Sequence, residues 1–182
     1  RVLAGRFHDS DVTIGGVCGA VGQDSAGKLP DDELHGLECV ACPSSGACGG
    51  QYTANTMACV SEAMGLALPG SAGAPAPYES RDEYAEASGR AVMNLVANNI
   101  RPRDIVTRKS LENAATIISA TGGSTNGGLH LPAIAHEAGI DFDLMEVAEI
   151  FRKTPYIADL KPGGQYVAKD LFDVGGVSMV LK

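Results

Sequence analysis

Residues 42–68 read CPSSGACGGQYTANTMACVSEAMGLAL, and this stretch decides both the fold and the site. Its second part, from Tyr52 to Leu68, is apolar on nearly every side and stops at Pro69. Apolar residues recur there at helical spacing, which predicts a helix that is buried on most faces. We expect such a helix to be hard to bury within these residues alone, so that further sequence supplies its cover.

The thiol of Cys48 stands in the glycine-rich loop GACGG directly before this helix. The glycines let the backbone approach a bulky inorganic group, and the positive end of the helix dipole favours a thiolate. Two interpretations stay open on these residues alone, a metal-ligating thiolate or a small buried side chain of the kind that most free cysteines are. For Cys18 and Cys59 we expect the buried side chain.

Three neighbouring residues give an alternative site around Cys48. Cys39 and Cys42 are separated by two residues, a spacing that suits tetrahedral zinc, and His35 lies just upstream. The four side chains together would form a local zinc site in an interaction module. Structural zinc sites have two well-formed ligand pairs, however, and the segment from Pro43 to Ala47 supplies no second pair.

Composition narrows the class of protein. The net charge of −8 argues against nucleic acid, because phosphate binding depends on clustered Lys and Arg. It also gives no attraction to an anionic membrane surface, and no apolar run approaches the ~18 residues of a membrane span. The five cysteines are an odd number without secretory features, which predicts reduced thiols and a cytoplasmic location.

Helices outnumber strands in the rest of the chain. Four further helices are predicted from periodicity, caps and stops: one from a capping box at Ser80–Glu83, one over 111–118 ending at Gly122, one over 129–138 with Pro132 in its first turn, and one from Asp143–Glu146. Strands are predicted at 11–14, 156–158 and 177–181. This pattern predicts a helix-rich part of a large α/β domain.

Five motifs of unusual sequence are spread along the chain. They lie at residues 42–57 (CPSSGACGGQYTANTM), 66–72 (LALPGSA), 112–114 (ENA), 122–126 (GGSTN) and 129–131 (LHL). Together they resemble the dehydratases of dihydroxy acids and sugar acids, and the resemblance covers essentially the whole chain. Within that family, residues 132–140 and 159–164 look most like the dihydroxy-acid dehydratases, with the phosphogluconate and aldonate dehydratases as the alternative.

The resemblance implies a hydro-lyase that converts a 2,3-dihydroxy carboxylic acid to a 2-keto acid through an enol, in branched-chain amino-acid biosynthesis. It implies an iron–sulfur cluster held by three cysteines, with one iron open as a Lewis acid for the departing hydroxyl, and Mg²⁺ on the carboxylate side of the substrate. Cys48 matches the cluster cysteine of the Gly-x-Cys-Gly-Gly motif. Cys39 and Cys42 lie beside it and are not ligands in the family pattern.

Several family motifs have no counterpart in these 182 residues. They are the Cys-Asp-Lys motif with a cluster cysteine and magnesium ligands, a further early cluster cysteine, the Thr-Asp-Gly-Arg motif and the catalytic serine of the C-terminal domain. We therefore expect residues 1–182 to be one partial domain, a central fragment of the N-terminal cluster-binding domain, with no catalytic residue of its own. The full-length protein is expected to be a homodimer acting on a small dihydroxy acid.

A second candidate segment is the donor-rich turn that contains Ser124, Thr125 and Asn126. It precedes a predicted helix and could hold an anion such as a substrate carboxylate. The alternative is that one of the three residues caps that helix, which their small polar side chains favour. His130 lies between two leucines and is predicted to be a hydrogen-bonded core residue.

Overall fold

The computed structural model describes residues 1–182 and contains one small sheet and ten helices. The elements in chain order are β1 (Gly5–Phe7), β2 (Ser10–Val12), α1 (Ile14–Ser25), α2 (Asp31–Val40), α3 (Thr53–Ala63), α4 (Ser80–Ala97), α5 (Pro102–Ile105), α6 (Arg108–Thr121), α7 (Asn126–Ala138), α8 (Leu144–Lys153), α9 (Ala168–Asp173) and α10 (Gly176–Val180). The two strands pair antiparallel, with Phe7 opposite Ser10. The predicted helix-rich α/β class is confirmed.

Helix α6 lies at the centre of the core. Its small residues Ala114 and Ala115 are fully buried, which lets neighbouring helices approach closely, and Leu111 and Ile117 fill the space around them. Helices α3, α7, α8 and α10 all contact α6. The helix ends at Gly122 in a left-handed conformation (φ 66°), as the glycine pair in the sequence predicts.

Helix α3 is shorter than predicted and is partly covered by the chain itself. It ends at Ala63 rather than Leu68, because Gly65 adopts a positive φ of 82° and stops the helix. The buried carboxylate of Glu62 then accepts hydrogen bonds from the backbone N–H groups of Gly70 (2.8 Å) and Ala72 (2.9 Å), which folds the chain back. Packing against α6, α7 and α10 buries Val60 completely, so the expectation that outside sequence must cover this helix is wrong for that face, whereas Met57 stays half-buried.

Only one of the three predicted strand segments contributes to a strand in the structure. The segment 11–14 contributes β2 up to Val12 and then enters α1. The segment 156–158 forms no strand, because the N–H groups of Ile157 and Ala158 both donate to the carbonyl of Ala120 at the end of α6. The segment 177–181 forms α10 instead of a strand, with Val177 packed into the helical core.

Two details of helix initiation also differ from the prediction. Ser80 is not a cap, because the preceding Glu79 already has helical φ and ψ angles and the Ser80 hydroxyl is buried without a partner. Pro132 lies inside α7, beyond its first turn. The capping box at Asp143 and Glu146 is confirmed, since each side chain accepts the other residue's backbone N–H at 2.9 Å. None of the helices is long and apolar enough to cross a membrane.

Candidate functional site

Cys48 has an unusual backbone conformation. Its φ is 55°, in the left-handed region that side chains disfavour. The other non-glycine residues with positive φ are His8, Asp9, Asn99 and Asp159, types that adopt this conformation more readily. Because such outliers cluster at functional sites, Cys48 is a candidate on its backbone alone.

The side chain of Cys48 is half-buried on a small cavity of about 140 Å³. The cavity is also lined by Cys42, by Thr13 and Ile14 at the start of α1, and by Val2. Three elements therefore meet here, namely the N-terminal segment, the beginning of α1 and the glycine-rich loop. The thiol of Cys48 is accessible without lying on the open surface.

The glycines around Cys48 are not all required for the same structural reason. A Cβ on Gly50 would lie 2.6 Å from the carbonyl oxygen of Lys161, and one on Gly46 would lie 2.7 Å from the backbone of Arg1. Packing of the chain therefore requires these two glycines, with no need of an inorganic group. A Cβ on Gly49 would come no closer than 3.4 Å to Thr13, so Gly49 alone leaves room beside the thiol.

The other thiols lie in different surroundings. Cys59 is buried as predicted, with 2% of its surface exposed, and burial raises the pKa of its thiol to about 11. The same prediction for Cys18 is wrong, because Cys18 is exposed on α1. Cys39 is exposed on α2, where its Sγ lies 3.7 Å from Nε2 of His35. Cys48 is thus the one thiol that is neither sealed in the core nor free on the surface.

The Ser124–Asn126 turn lies against the start of α3. Asn126 Nδ2 donates to the hydroxyl of Thr53 (2.7 Å), and the Thr53 and Ser124 hydroxyls are 3.2 Å apart. Thr125 occupies the N-cap position of α7 without a capping bond, while Ser124 Oγ accepts from the backbone N–H of Asn126 at 3.3 Å. The N-terminal ends of α3 and α7 therefore lie side by side, an arrangement that favours an anion.

Buried polar side chains that the sequence analysis missed join the two candidate segments. The hydroxyl of Thr56 donates to the backbone carbonyl of Gln51 (3.2 Å) and accepts from the N–H of Ser124 (2.9 Å). Thr56, Gln51 and Asn55 are each at most 1% exposed. Three polar residues so close together at the start of an apolar helix were the signal available in the sequence, because buried polar groups require partners.

Comparison with known proteins gives the family. The sequence model described as dihydroxy-acid/6-phosphogluconate dehydratase N-terminal matches residues 2–182. The chain belongs to this family. Over 181 residues it is 83% identical to a protein named dihydroxy-acid dehydratase from Parvibaculum lavamentivorans, and 70% identical to one from Pelagibacter ubique. A third, from Metallosphaera sedula, is 49% identical over 180 residues.

The matches cover nearly all of this chain and a minor part of each relative. They include 100%, 100% and 99% of the chain, but only 31%, 32% and 32% of the three dehydratases. The chain thus spans about a third of the length of the curated relatives it matches. The matching family model is described as N-terminal.

Cys48 fits one of the three cysteine ligand positions of the cluster that the dehydratase resemblance implies. Cysteine sulfurs are the usual ligands of iron–sulfur clusters, and the Cys48 side chain lies on the cavity that Gly49 also lines. The chain brings no three His, Cys, Asp or Glu side chains together in a group that could hold a metal. The zinc arrangement of His35, Cys39, Cys42 and Cys48 is therefore not assembled.

His130 is placed differently from the prediction. It is half-exposed and lines an open groove between α3, α5 and α7, together with Met57, Arg103 and Glu137. Its ring makes no hydrogen bond within the chain, although Arg103 and Glu137 line the same groove. The prediction of a hydrogen-bonded core residue is wrong, and its position on α7 is away from the Cys48 cavity lining.

Proposed function

We propose that this chain is part of a hydro-lyase that dehydrates 2,3-dihydroxy carboxylic acids to 2-keto acids in branched-chain amino-acid biosynthesis. The observation that carries the proposal is the left-handed, half-buried Cys48 on its cavity, in a chain 83% identical to a dihydroxy-acid dehydratase. The activity belongs to the whole protein, and we place no catalytic residue within 1–182.

In this proposal Cys48 is one of three cysteine ligands of an iron–sulfur cluster. When bound, the cluster supplies an iron with an open position, which acts as a Lewis acid toward the leaving hydroxyl. The other two ligands, and the ligands of Mg²⁺, come from sequence outside these residues. The present chain contributes the thiolate and holds it in place through the bonds from Ala168 N to Gly49 O (2.8 Å) and from Gln51 N to Lys161 O (2.6 Å).

The Ser124, Thr125 and Asn126 turn is proposed to lie on the substrate side. The starts of α3 and α7 both face this turn through Thr53 and Asn126, and Tyr52 at the N-cap of α3 supplies no side-chain acceptor. Two helix N-termini without a carboxylate between them favour a negatively charged group. The carboxylate of a dihydroxy acid has the required charge.

The test uses the full-length protein purified without oxygen. Cys48→Ser removes a cluster ligand, so we expect the bound iron and sulfide and the formation of 2-keto acid to be lost. Cys39→Ser is the matched control, because Cys39 is exposed on a neighbouring helix and we expect it to change neither quantity. Stoichiometric zinc that disappears in Cys39→Ser would instead support the zinc-binding alternative.

A sugar-acid dehydratase is the second candidate, because the family description includes 6-phosphogluconate dehydratase. The two are separated by kcat/KM for a branched aliphatic 2,3-dihydroxy acid, for an aldonate and for 6-phosphogluconate. The names of the relatives favour the aliphatic acid. A higher kcat/KM for either sugar acid than for the aliphatic acid would favour the sugar-acid dehydratase instead.

We further propose a cytoplasmic homodimer. The five unpaired cysteines support a reducing compartment, and partners beyond the small dihydroxy acid are not required by the proposed reaction. No nucleic acid is expected at a net charge of −8. Light scattering of the full-length protein measures its oligomeric state, and a monomer at micromolar concentration would contradict the dimer.

A further inference from the structure

A chain of buried hydrogen bonds leads from α6 to the loop of Cys48. Thr121 Oγ1 donates to the carbonyl of Ile117 (2.6 Å), Gln51 Nε2 donates to Thr121 Oγ1 (2.7 Å), and Asn55 Nδ2 donates to Gln51 Oε1 (2.6 Å). Gln51 and Thr121 are completely buried. We propose that Gln51, held by Thr121 and Asn55, is a positioning residue that sets the conformation of the Cys48 loop and thereby the environment of the bound cluster.

The direction of every bond in this chain follows from one backbone carbonyl. The only proton on the Thr121 hydroxyl goes to the Ile117 carbonyl, so its oxygen is left as an acceptor for Gln51. Gln51 must present its NH₂ group to Thr121 and its Oε1 to Asn55. The amide of Gln51 therefore has a single orientation, and the series ends at Asn55 Oδ1, which is buried without a partner.

Gln51 is bonded through its backbone as well as its side chain. Its N–H donates to Lys161 O at 2.6 Å, and its carbonyl accepts from the hydroxyl of Thr56 at 3.2 Å. Only two glycines separate it from Cys48. Because glycine has the freest backbone, a loop of this composition takes its conformation from the residue that anchors it. In this proposal the left-handed φ of Cys48 depends on Gln51 together with the bond from Ala168 N to Gly49 O.

The inference rests on the proposed role of Cys48 as a cluster ligand. Hydrogen bonds to the cluster sulfurs and the exposure of the cluster to solvent both tune the reduction potential. A loop that loses its anchor places the backbone N–H groups near Cys48 differently. We therefore expect a change at Thr121 to reach the cluster although Thr121 itself is not a ligand.

The experiment compares substitutions at Thr121 in the full-length, cluster-loaded protein. Thr121→Val keeps the shape and removes the hydroxyl, whereas Thr121→Ser keeps the hydroxyl. Thr116→Val is the matched control, because Thr116 lies on the same helix and its hydroxyl makes the same kind of bond, to Glu112 O at 2.9 Å. The measurements are the midpoint potential of the cluster, its electron paramagnetic resonance spectrum, the rate of iron loss to a chelator and the melting temperature.

We expect Thr121→Val to shift the potential and the spectrum and to release iron several-fold faster, with Thr121→Ser close to the wild type. Thr116→Val is expected to lower the melting temperature at most, with no change at the cluster. If Thr121→Val changes only the melting temperature, as Thr116→Val does, the positioning role is wrong.

A second variant covers the case in which Thr121→Val does not fold. Asn55→Ala removes one bond to Gln51, and the simultaneous loss of the unpaired acceptor Oδ1 offsets part of the cost to folding. It leaves Gln51 Oε1 without its donor, and we expect the same shift in potential and spectrum. An unchanged cluster in folded Asn55→Ala overturns the inference. Absence of a cluster in the wild type, or an intact cluster in Cys48→Ser, overturns the proposed function instead.

Discussion

Cys48 and Cys59 carry the same thiol, and their surroundings give the two groups different chemistry. Cys48 lies on a cavity between three segments of the chain, with the backbone strained into the left-handed region. Cys59 packs among the core residues of α3 and α6, including Val60 and Leu111. Low polarity disfavours the charged form of a thiol, so Cys59 is the inert member of the pair.

The raised pKa of Cys59 predicts a pH dependence of stability. The folded protein keeps the proton up to a pKa of about 11, whereas the unfolded chain loses it near the ordinary value of 9.0. The folded state therefore binds more protons between these values, and the free energy of unfolding falls as the pH rises from 9 to 11. Urea unfolding across this range measures the effect, with Cys59→Ala as the control that lacks the group. Equal slopes for the two proteins would contradict the prediction.

Residue identity predicted the burial of Cys59 correctly but not the surroundings of Cys18 or His130, and the role of Cys48 as a ligand stays a prediction. Cys59 follows the apolar period of α3, so its burial can be read from local spacing. Cys18 lies in α1, where Gly15, Gly16 and Gly19 leave no apolar face from which burial could be judged. The neighbours of His130 come from α3 and α5, which only the tertiary fold brings together.

At the scale of elements, two similar capping patterns behave differently. Both begin with a small polar residue and have Glu three positions later, at Ser80–Glu83 and Asp143–Glu146. Asp143 has an extended backbone (φ −98°, ψ 177°), so its carboxylate reaches the N–H of Glu146. Ser80 lies inside its helix, because Glu79 before it is already helical (φ −57°, ψ −29°). Whether such a residue caps its helix therefore depends on the backbone angles at the start of the helix. The four-residue sequence pattern does not show those angles.

These two sites give a matched pair of substitutions. We expect Asp143→Ala to lower the free energy of unfolding by about 0.5–2 kcal/mol, the usual cost of a lost N-cap. Ser80→Ala removes a buried hydroxyl that has no partner, so we expect no loss of stability. Urea denaturation of both variants in the same protein measures the difference. A larger loss for Ser80→Ala than for Asp143→Ala would contradict this account.

The strand predictions show where short apolar runs mislead. Residues 177–181 are apolar and β-branched enough to suggest a strand, but Gly175 and Gly176 both have positive φ and turn the chain into α10. Five residues are too few to show whether their apolar residues repeat with the period of a strand (2) or of a helix (3.6). The packing of Val177 against the core therefore determines which element forms. Helices α6 and α8 are longer, so the helical period of their apolar residues repeats and could be read from the sequence.

At the scale of the whole molecule, the chain exposes more surface than its mass requires. A folded monomer of 18.7 kDa has about 8300 Å² of accessible surface, by the usual scaling with mass. This chain exposes 10039 Å². Part of the exposed surface is apolar and lies on α4, which buries no residue and exposes Val92, Met93 and Val96 by 52%, 65% and 68%.

Residues 1–182 produced alone are therefore expected to associate, although Val60 of α3 is fully buried in the helical core. We expect the isolated chain to bind a hydrophobic dye and to melt over a broad range, because exposed apolar patches of this kind promote aggregation. Replacing Met93 and Val96 by Gln should increase its solubility and reduce dye binding, since both side chains lie outside the core. The same change at Met145, exposed by 66% on α8, is the control for a single apolar side chain outside this surface. A sharp, cooperative melt of monomeric wild-type chain, with no dye bound, would show that α4 needs no cover.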